Sequence, residues 1–185
     1  MIHYLNFGNM SNIETNKIVS YINTDTYGED FKNTLLTILN EIKEPLVCFV
    51  QNPEFIMADF DESKVESCLI EDPSMFSFSL NLNKHANFSK KYESPMKLVP
   101  LSETEDIVKW DWHLHYFSFG DPFILNGGVY ITKDIKRLIS KCDGEDLMDF
   151  ENELQKFHTF PKNVMACFKE PIVQIKDTDQ PLLEN

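Results

Sequence analysis

No apolar run in this 185-residue sequence approaches the roughly 20 residues that a membrane-spanning helix needs. The amino terminus lacks the basic stretch followed by an apolar one that marks an export signal, so none is expected. The four cysteines, Cys48, Cys68, Cys142 and Cys167, form no C-x-x-C pair. Without an export signal they read as reduced thiols of a cytoplasmic protein. Positive charge is scarce: 17 Lys and Arg stand against 30 Asp and Glu, a net charge of -13, which argues against a nucleic-acid partner held through its phosphates. There is no internal repeat, low-complexity block or linker, so residues 1–185 read as a single domain, with 1–16 and 178–185 as loop or tail.

What is present is a core. Hydrophobic residues make up 42% of the chain and include 15 Phe, far too many for a disordered segment. Glu29 to Ile42 is the clearest helix, because Phe31, Leu35, Ile38, Leu39 and Ile42 recur at helical spacing and Leu36 widens the stripe. Pro45 stops it, and the apolar run Leu46–Val50 follows as a buried, central strand. A second helix is expected from Asp61 to Ile70, with Asp59 or Asp61 as its cap. Phe76 to Leu80 alternates apolar and small polar residues, the pattern of a half-buried strand. Later pieces are Leu125–Ile131, a glycine hinge running into a strand, a helix from Thr132 to Lys141, a helix from Glu145 to Phe157 and a strand at Pro171–Ile175. Met1 to Glu14 shows no clear period and reads as turn or loop, while Lys17–Ile22 fits a short strand.

Ligands of open α/β sheets bind beyond the carboxyl ends of the strands. The turn after Leu46–Val50 is therefore the first place to look for chemistry. It reads Gln51-Asn52-Pro53-Glu54, with Glu54 as its only carboxylate. Glu54 can hold a metal ion or a ligand hydroxyl; equally, it can be a solvated loop residue. A second group is Trp110-Asp111-Trp112-His113-Leu114-His115-Tyr116. If extended, it puts the two tryptophans on one face and Asp111, His113 and His115 on the other. An Asp-x-His-x-His face can ligate a transition metal or supply a base, or simply be the polar side of a strand. Asp121 sits in a Gly-Asp-Pro turn. Asn126-Gly127-Gly128 either lets a sugar approach the backbone closely or makes a tight turn that needs positive φ.

Taken in order, these landmarks resemble a group of bacterial glycosyltransferase-like proteins of the GT-A, nucleotide-diphospho-sugar transferase type. The resemblance runs through helix Phe31–Ile42 and strand Leu46–Val50, then Phe78-Ser79-Leu80-Asn81-Leu82 and Trp110-Asp111-Trp112. It continues through Gly120-Asp121-Pro122-Phe123, Asn126-Gly127-Gly128-Val129-Tyr130, Glu151-Asn152-Glu153-Leu154 and Met165-Ala166-Cys167-Phe168, spanning roughly Lys17 to Asp179. It implies a single α/β GT-A-like domain with a mixed, mostly parallel sheet flanked by helices, here with its N-terminal part abbreviated. It also implies sugar transfer from a nucleotide-sugar donor to an acceptor. Asp121 then corresponds to the acceptor-side base, while Asp111, Trp112, His113, Asn126, Gly127 and Gly128 join Glu54 in binding substrate. The family's Asp-x-Asp motif is degenerate here. Glu54 is the remaining metal-side carboxylate, and binding of manganese or magnesium is expected to be weak. The alternative is a catalytically inactive GT-A-like domain that binds a carbohydrate or a protein. The cleft expected at the end of the sheet gathers Asp111, His113, Asp121 and Asn126, opposite Glu54.

Overall fold

A computed structural model describes residues 1–7, 18–22, 29–50, 55–57, 59–144, 147–156, 161–170 and 172–175. Within them, β1 (Ile2–Phe7) and β2 (Ile18–Ile22) precede α1 (Glu29–Glu41), β3 (Leu46–Val50) and β4 (Phe55–Met57). Next come α2 (Glu62–Glu71), β5 (Met75–Ser79), β6 (Phe88–Ser89), β7 (Ser94–Pro95), β8 (Ser102–Glu103) and β9 (Ile107–Asp111). The described chain closes with β10 (Gly128–Ile131), α3 (Thr132–Ile139), α4 (Leu147–Gln155), β11 (Val164–Phe168) and β12 (Val173–Ile175).

Eight strands form one sheet in the order β2-β1-β3-β10-β5-β11-β9-β8. Strands β1, β2, β3, β5, β8 and β11 run one way, and β9 and β10 run against them. The domain is thus α/β with a mixed sheet whose strands mostly share one direction. Helices cover both faces. On one, Phe31, Leu35 and Leu39 of α1, Ile135 and Ile139 of α3 and Phe150 of α4 pack on Leu5, Phe7, Val47 and Phe49. On the other, Val65, Cys68 and Leu69 of α2 pack on Ile2, Tyr4, Cys48 and Val129. A third cluster joins Trp110, Trp112, Phe119 and Met165. Every residue of β3 is buried, and the strand lies between β1 and β10. A continuous apolar run is the sequence of a strand covered on both faces.

The N-terminus corrects the expectation of an abbreviated start. Ile2–Phe7 is a full strand, buried along its length and paired to both β2 and β3. Its polar positions hid it. His3 is buried, with Nδ1 3.1 Å from Glu44 Oε2 and Nε2 2.9 Å from Ser20 Oγ, so both ring nitrogens have partners. Lys17–Ile22 does yield a strand, β2; residues 8–17 lie outside the described residues, as do 176–185.

β5 departs from simple alternation as well. All of Met75–Ser79 is buried rather than half-buried, and the ladder to β11 shifts register beside Val164 and Met165. Met75 faces Val164 and Ser77 faces Met165, so Phe76 is the extra residue of a bulge. That extra residue sends Phe76 and Phe78 to opposite faces, into separate clusters. The Asp61 cap is present, its carboxylate accepting from Ser63 N at 3.0 Å. Thr132 does not cap α3; its hydroxyl donates to the Glu44 carbonyl oxygen at 2.9 Å.

Candidate functional site

The carboxyl edge of β5 and the start of the antiparallel β10 meet at one corner. There Gly127 donates its N–H to the Phe49 carbonyl oxygen and accepts from Leu80 N, both at 2.8 Å. Gly127 has φ 83°, in the left-handed region that costs a side chain strain, so glycine is required for the turn. A Cβ on Gly128 would meet the Ile124 carbonyl oxygen at 2.3 Å. The Gly-Gly pair is therefore explained by backbone packing, and both residues are buried.

Beside this corner lies a cleft of about 510 Å³. Asn81 and Asn126 lie on the strand side, Asp121 and Ser118 on the turn that precedes β10, Phe88 and Lys91 on the hairpin of β6 and β7, and Glu151 on α4. The walls are tied together. Ser89 Oγ is 2.7 Å from Ser118 Oγ, and Gln155 of α4 donates to the Phe123 carbonyl oxygen at 2.7 Å.

The polar centre of the cleft is an ionic group. Lys91 Nζ is 2.9 Å from Glu151 Oε1 and 3.2 Å from Asp121 Oδ2. The Tyr92 hydroxyl donates towards both oxygens of Asp121, at 2.9 and 2.8 Å. Burial alone would lower the Lys91 pKa, but the hydrogen bond and charge of Glu151, with Asp121 adding, hold it above the usual lysine range. Burial, then the hydrogen bond to Asp121, raises the Tyr92 phenol. Asp121 is thus a partly shielded carboxylate already facing one cation and one hydroxyl.

Asp121 and Asn126 come together as expected, whereas Asp111, Trp112 and His113 do not join them. β9 pairs with β11 so that Asp111 stands opposite Val164, at the amino end of β11, while β11 and β5 run parallel. Asp111 therefore lies at the sheet edge opposite to Asn126–Gly128, which corrects the single cleft expected from sequence. The reason is local: the chain leaves the extended form at Asp111 and makes a 3₁₀ turn, Trp112–Leu114. Asp111 caps that turn, accepting from His113 N at 3.0 Å and from Asn163 Nδ2 at 2.6 Å. Trp112 is 2% exposed, and its indole N–H donates to the Lys162 carbonyl oxygen, so it is a core residue and not a sugar platform. His115 Nε2 accepts from Val99 N at 2.9 Å, so Nδ1 carries the proton and donates to the Asp111 carbonyl oxygen at 2.8 Å. Neither nitrogen keeps a lone pair for a metal.

Glu54 and the rest of Gln51–Glu54 lie outside the described residues. Among the described residues, no group of three or more His, Cys, Asp or Glu is placed to hold a metal ion. None of the described helices is long and apolar enough to cross a membrane. Tyr92 and Glu151 were missed as site residues. Each is an ordinary loop or helix residue by sequence, and only the packing of the hairpin and α4 against the Asp121 turn brings them in. One further polar group stands out. Asn6, next to the last residue of β1, is buried, and its side-chain oxygen has no hydrogen-bond partner among the described residues.

No family model matches the sequence, and comparison with curated proteins finds no significant match.

Proposed function

We propose that the cleft at Asp121 and Asn126 binds a carbohydrate, in a glycosyltransferase-like domain of the GT-A type. The observation that carries this reading is the cleft itself. Two carboxylates, two amides, two lysines and two serines line it beside apolar walls at the carboxyl edge of the sheet, where α/β domains bind ligands. Sugar hydroxyls need such mixed donors and acceptors. The donor half of a transfer reaction would lie near β1 and β3. The chain steps from β1 to β2 on one side and to β3 on the other, a topological switch point. Asn6 stands there, its buried side-chain oxygen without a partner among the described residues, an acceptor that a ligand donor would satisfy.

In the transferase form of this reading, a nucleotide sugar is the donor. Asp121 takes the proton of the acceptor hydroxyl, and manganese or magnesium would be held at Glu54. The non-catalytic form is favoured by one observation: both oxygens of Asp121 face Tyr92 and one faces Lys91, which lowers its value as a base. Two measurements separate the readings. A thermal-shift screen of nucleoside diphosphates, with and without manganese, should raise the melting temperature if a donor site exists. Asp121→Asn should abolish transfer from a radiolabelled nucleotide sugar while keeping donor binding. Transfer at the parental rate in that variant would remove Asp121 from the chemistry. Nucleotide and carbohydrate titrations that are both flat would sink the proposal.

A further inference from the structure

Large apolar side chains are left in solvent in one region. Val99 and Leu101 are 63% and 65% exposed, and Leu114 and Tyr116 are 76% and 81% exposed. The Val99 N–H bond to His115 holds these two segments side by side. Phe117 and Tyr92 are also open to solvent. The rings form a row: Tyr92 and Phe117 have centroids 5.7 Å apart, and Phe117 and Tyr116 6.5 Å apart. Tyr92 ends the row with its hydroxyl on Asp121, a residue that lines the cleft. Phe117 has φ 57°, a left-handed conformation that a bulky residue seldom adopts and that glycine or asparagine would relieve. The chain keeps a phenylalanine there, with its ring against Tyr92.

We propose that Tyr92, Phe117 and Tyr116 form a stacking platform that continues the cleft and selects an oligosaccharide over a single sugar. The inference rests on the carbohydrate reading of the cleft. Exposed apolar patches on a folded domain mark contact surfaces. Continuity with the cleft through the Tyr92–Asp121 bond identifies the occupant: the sugar seated at Asp121 has its neighbours directed over the rings. Aromatic faces pack against the C–H faces of successive sugar rings, and the tyrosine hydroxyls and the cleft amides bond their rims. A protein partner would use the apolar area but has no need of the ionic cleft at its end.

The test screens the full chain on a glycan array presenting mono- to hexasaccharides, then titrates the best ligand and its shorter fragments by calorimetry. Affinity should rise with length. Tyr116→Ala and Phe117→Gly, the first at an exposed position and the second relieving the left-handed φ, should each weaken the longer glycans about tenfold, the scale of one lost ring contact. Both should leave the mono- and disaccharides unchanged, whereas Asp121→Asn should weaken every length. Affinity that ignores both length and the two aromatic substitutions overturns the platform and leaves the cleft reading standing. No glycan bound at any length overturns both. Sedimentation showing a dimer that Tyr116→Asp converts to monomer makes the patch a subunit interface and likewise overturns the platform.

Discussion

The hydroxyl of Tyr92 lies 2.9 and 2.8 Å from the two oxygens of Asp121, so one phenol spans the carboxylate proposed as the acceptor-side base. Tyr92→Phe keeps the ring against Phe117 and removes the hydroxyl with its bond to Asp121. It should cost about 1 kcal/mol of stability, the usual net value of one such hydrogen bond. If Tyr92 masks Asp121, the same variant should raise any transfer activity; a variant with unchanged stability and activity would show that the bond is idle.

Asn6 offers a test of the proposed donor site. Its buried side-chain oxygen has no partner among the described residues, which leaves a desolvation cost of about 1–3 kcal/mol without an offsetting hydrogen bond from them. Asn6→Leu should therefore stabilise the ligand-free protein or leave it unchanged, while removing any melting-temperature rise given by nucleoside diphosphates. Strong destabilisation of the free protein would mean that the amide has a structural use.

Gly127→Ala should destabilise the domain by about 1–2 kcal/mol, because φ 83° forces the new Cβ towards the following carbonyl. The loss should come without a change of fold in far-ultraviolet circular dichroism. A wild-type melting temperature in the variant would contradict the turn described for Gly127.

Asp72 sets an acid dependence. Burial alone would raise its carboxyl pKa, but Lys109 Nζ at 2.8 Å, with the hydroxyl and N–H of Ser74, pulls it below the ordinary value. A carboxyl depressed in the folded state adds stability that is complete above its unfolded pKa, ~3.9, and is lost as pH falls through the folded value. Asp72→Asn should thus be less stable than the parent at pH ~6, and the gap should narrow as pH falls below the unfolded value of ~3.9. Melting curves across that range decide it; a gap that persists in acid would point to packing, not charge.

The four cysteines are free and buried. Burial, with Glu153 adding, pushes the Cys142 thiol up to about 11, and burial raises Cys167 well above its ordinary value. Thiolate is the reactive form. Iodoacetamide at pH ~8 should leave the native protein unmodified and label it only in denaturant. Rapid labelling of a single native thiol would show an opening that the fold does not account for.

The local pattern of the chain was enough for α1, β3, α2 and its Asp61 cap. An amphipathic period, a continuous apolar run and a capping carboxylate each act over a few residues, so they can be read without the rest of the molecule. The turn role of Gly127 was legible for the same reason. Tertiary structure decided what depends on partners far along the chain. β1 is a strand because Glu44 and Ser20 satisfy His3, and because β2 and β3 pair with it on both sides. Asp111, Trp112 and His113 went to the other end of the sheet because an antiparallel ladder to β11 sets where β9 stops, and one 3₁₀ turn then ends the alternation. The cleft is assembled from the β6–β7 hairpin, the Asp121 turn and α4, whose meeting no local period encodes. Sequence named Asp121 and Asn126; only packing could supply Tyr92 and Glu151, because side chains distant in the chain become neighbours when the core closes.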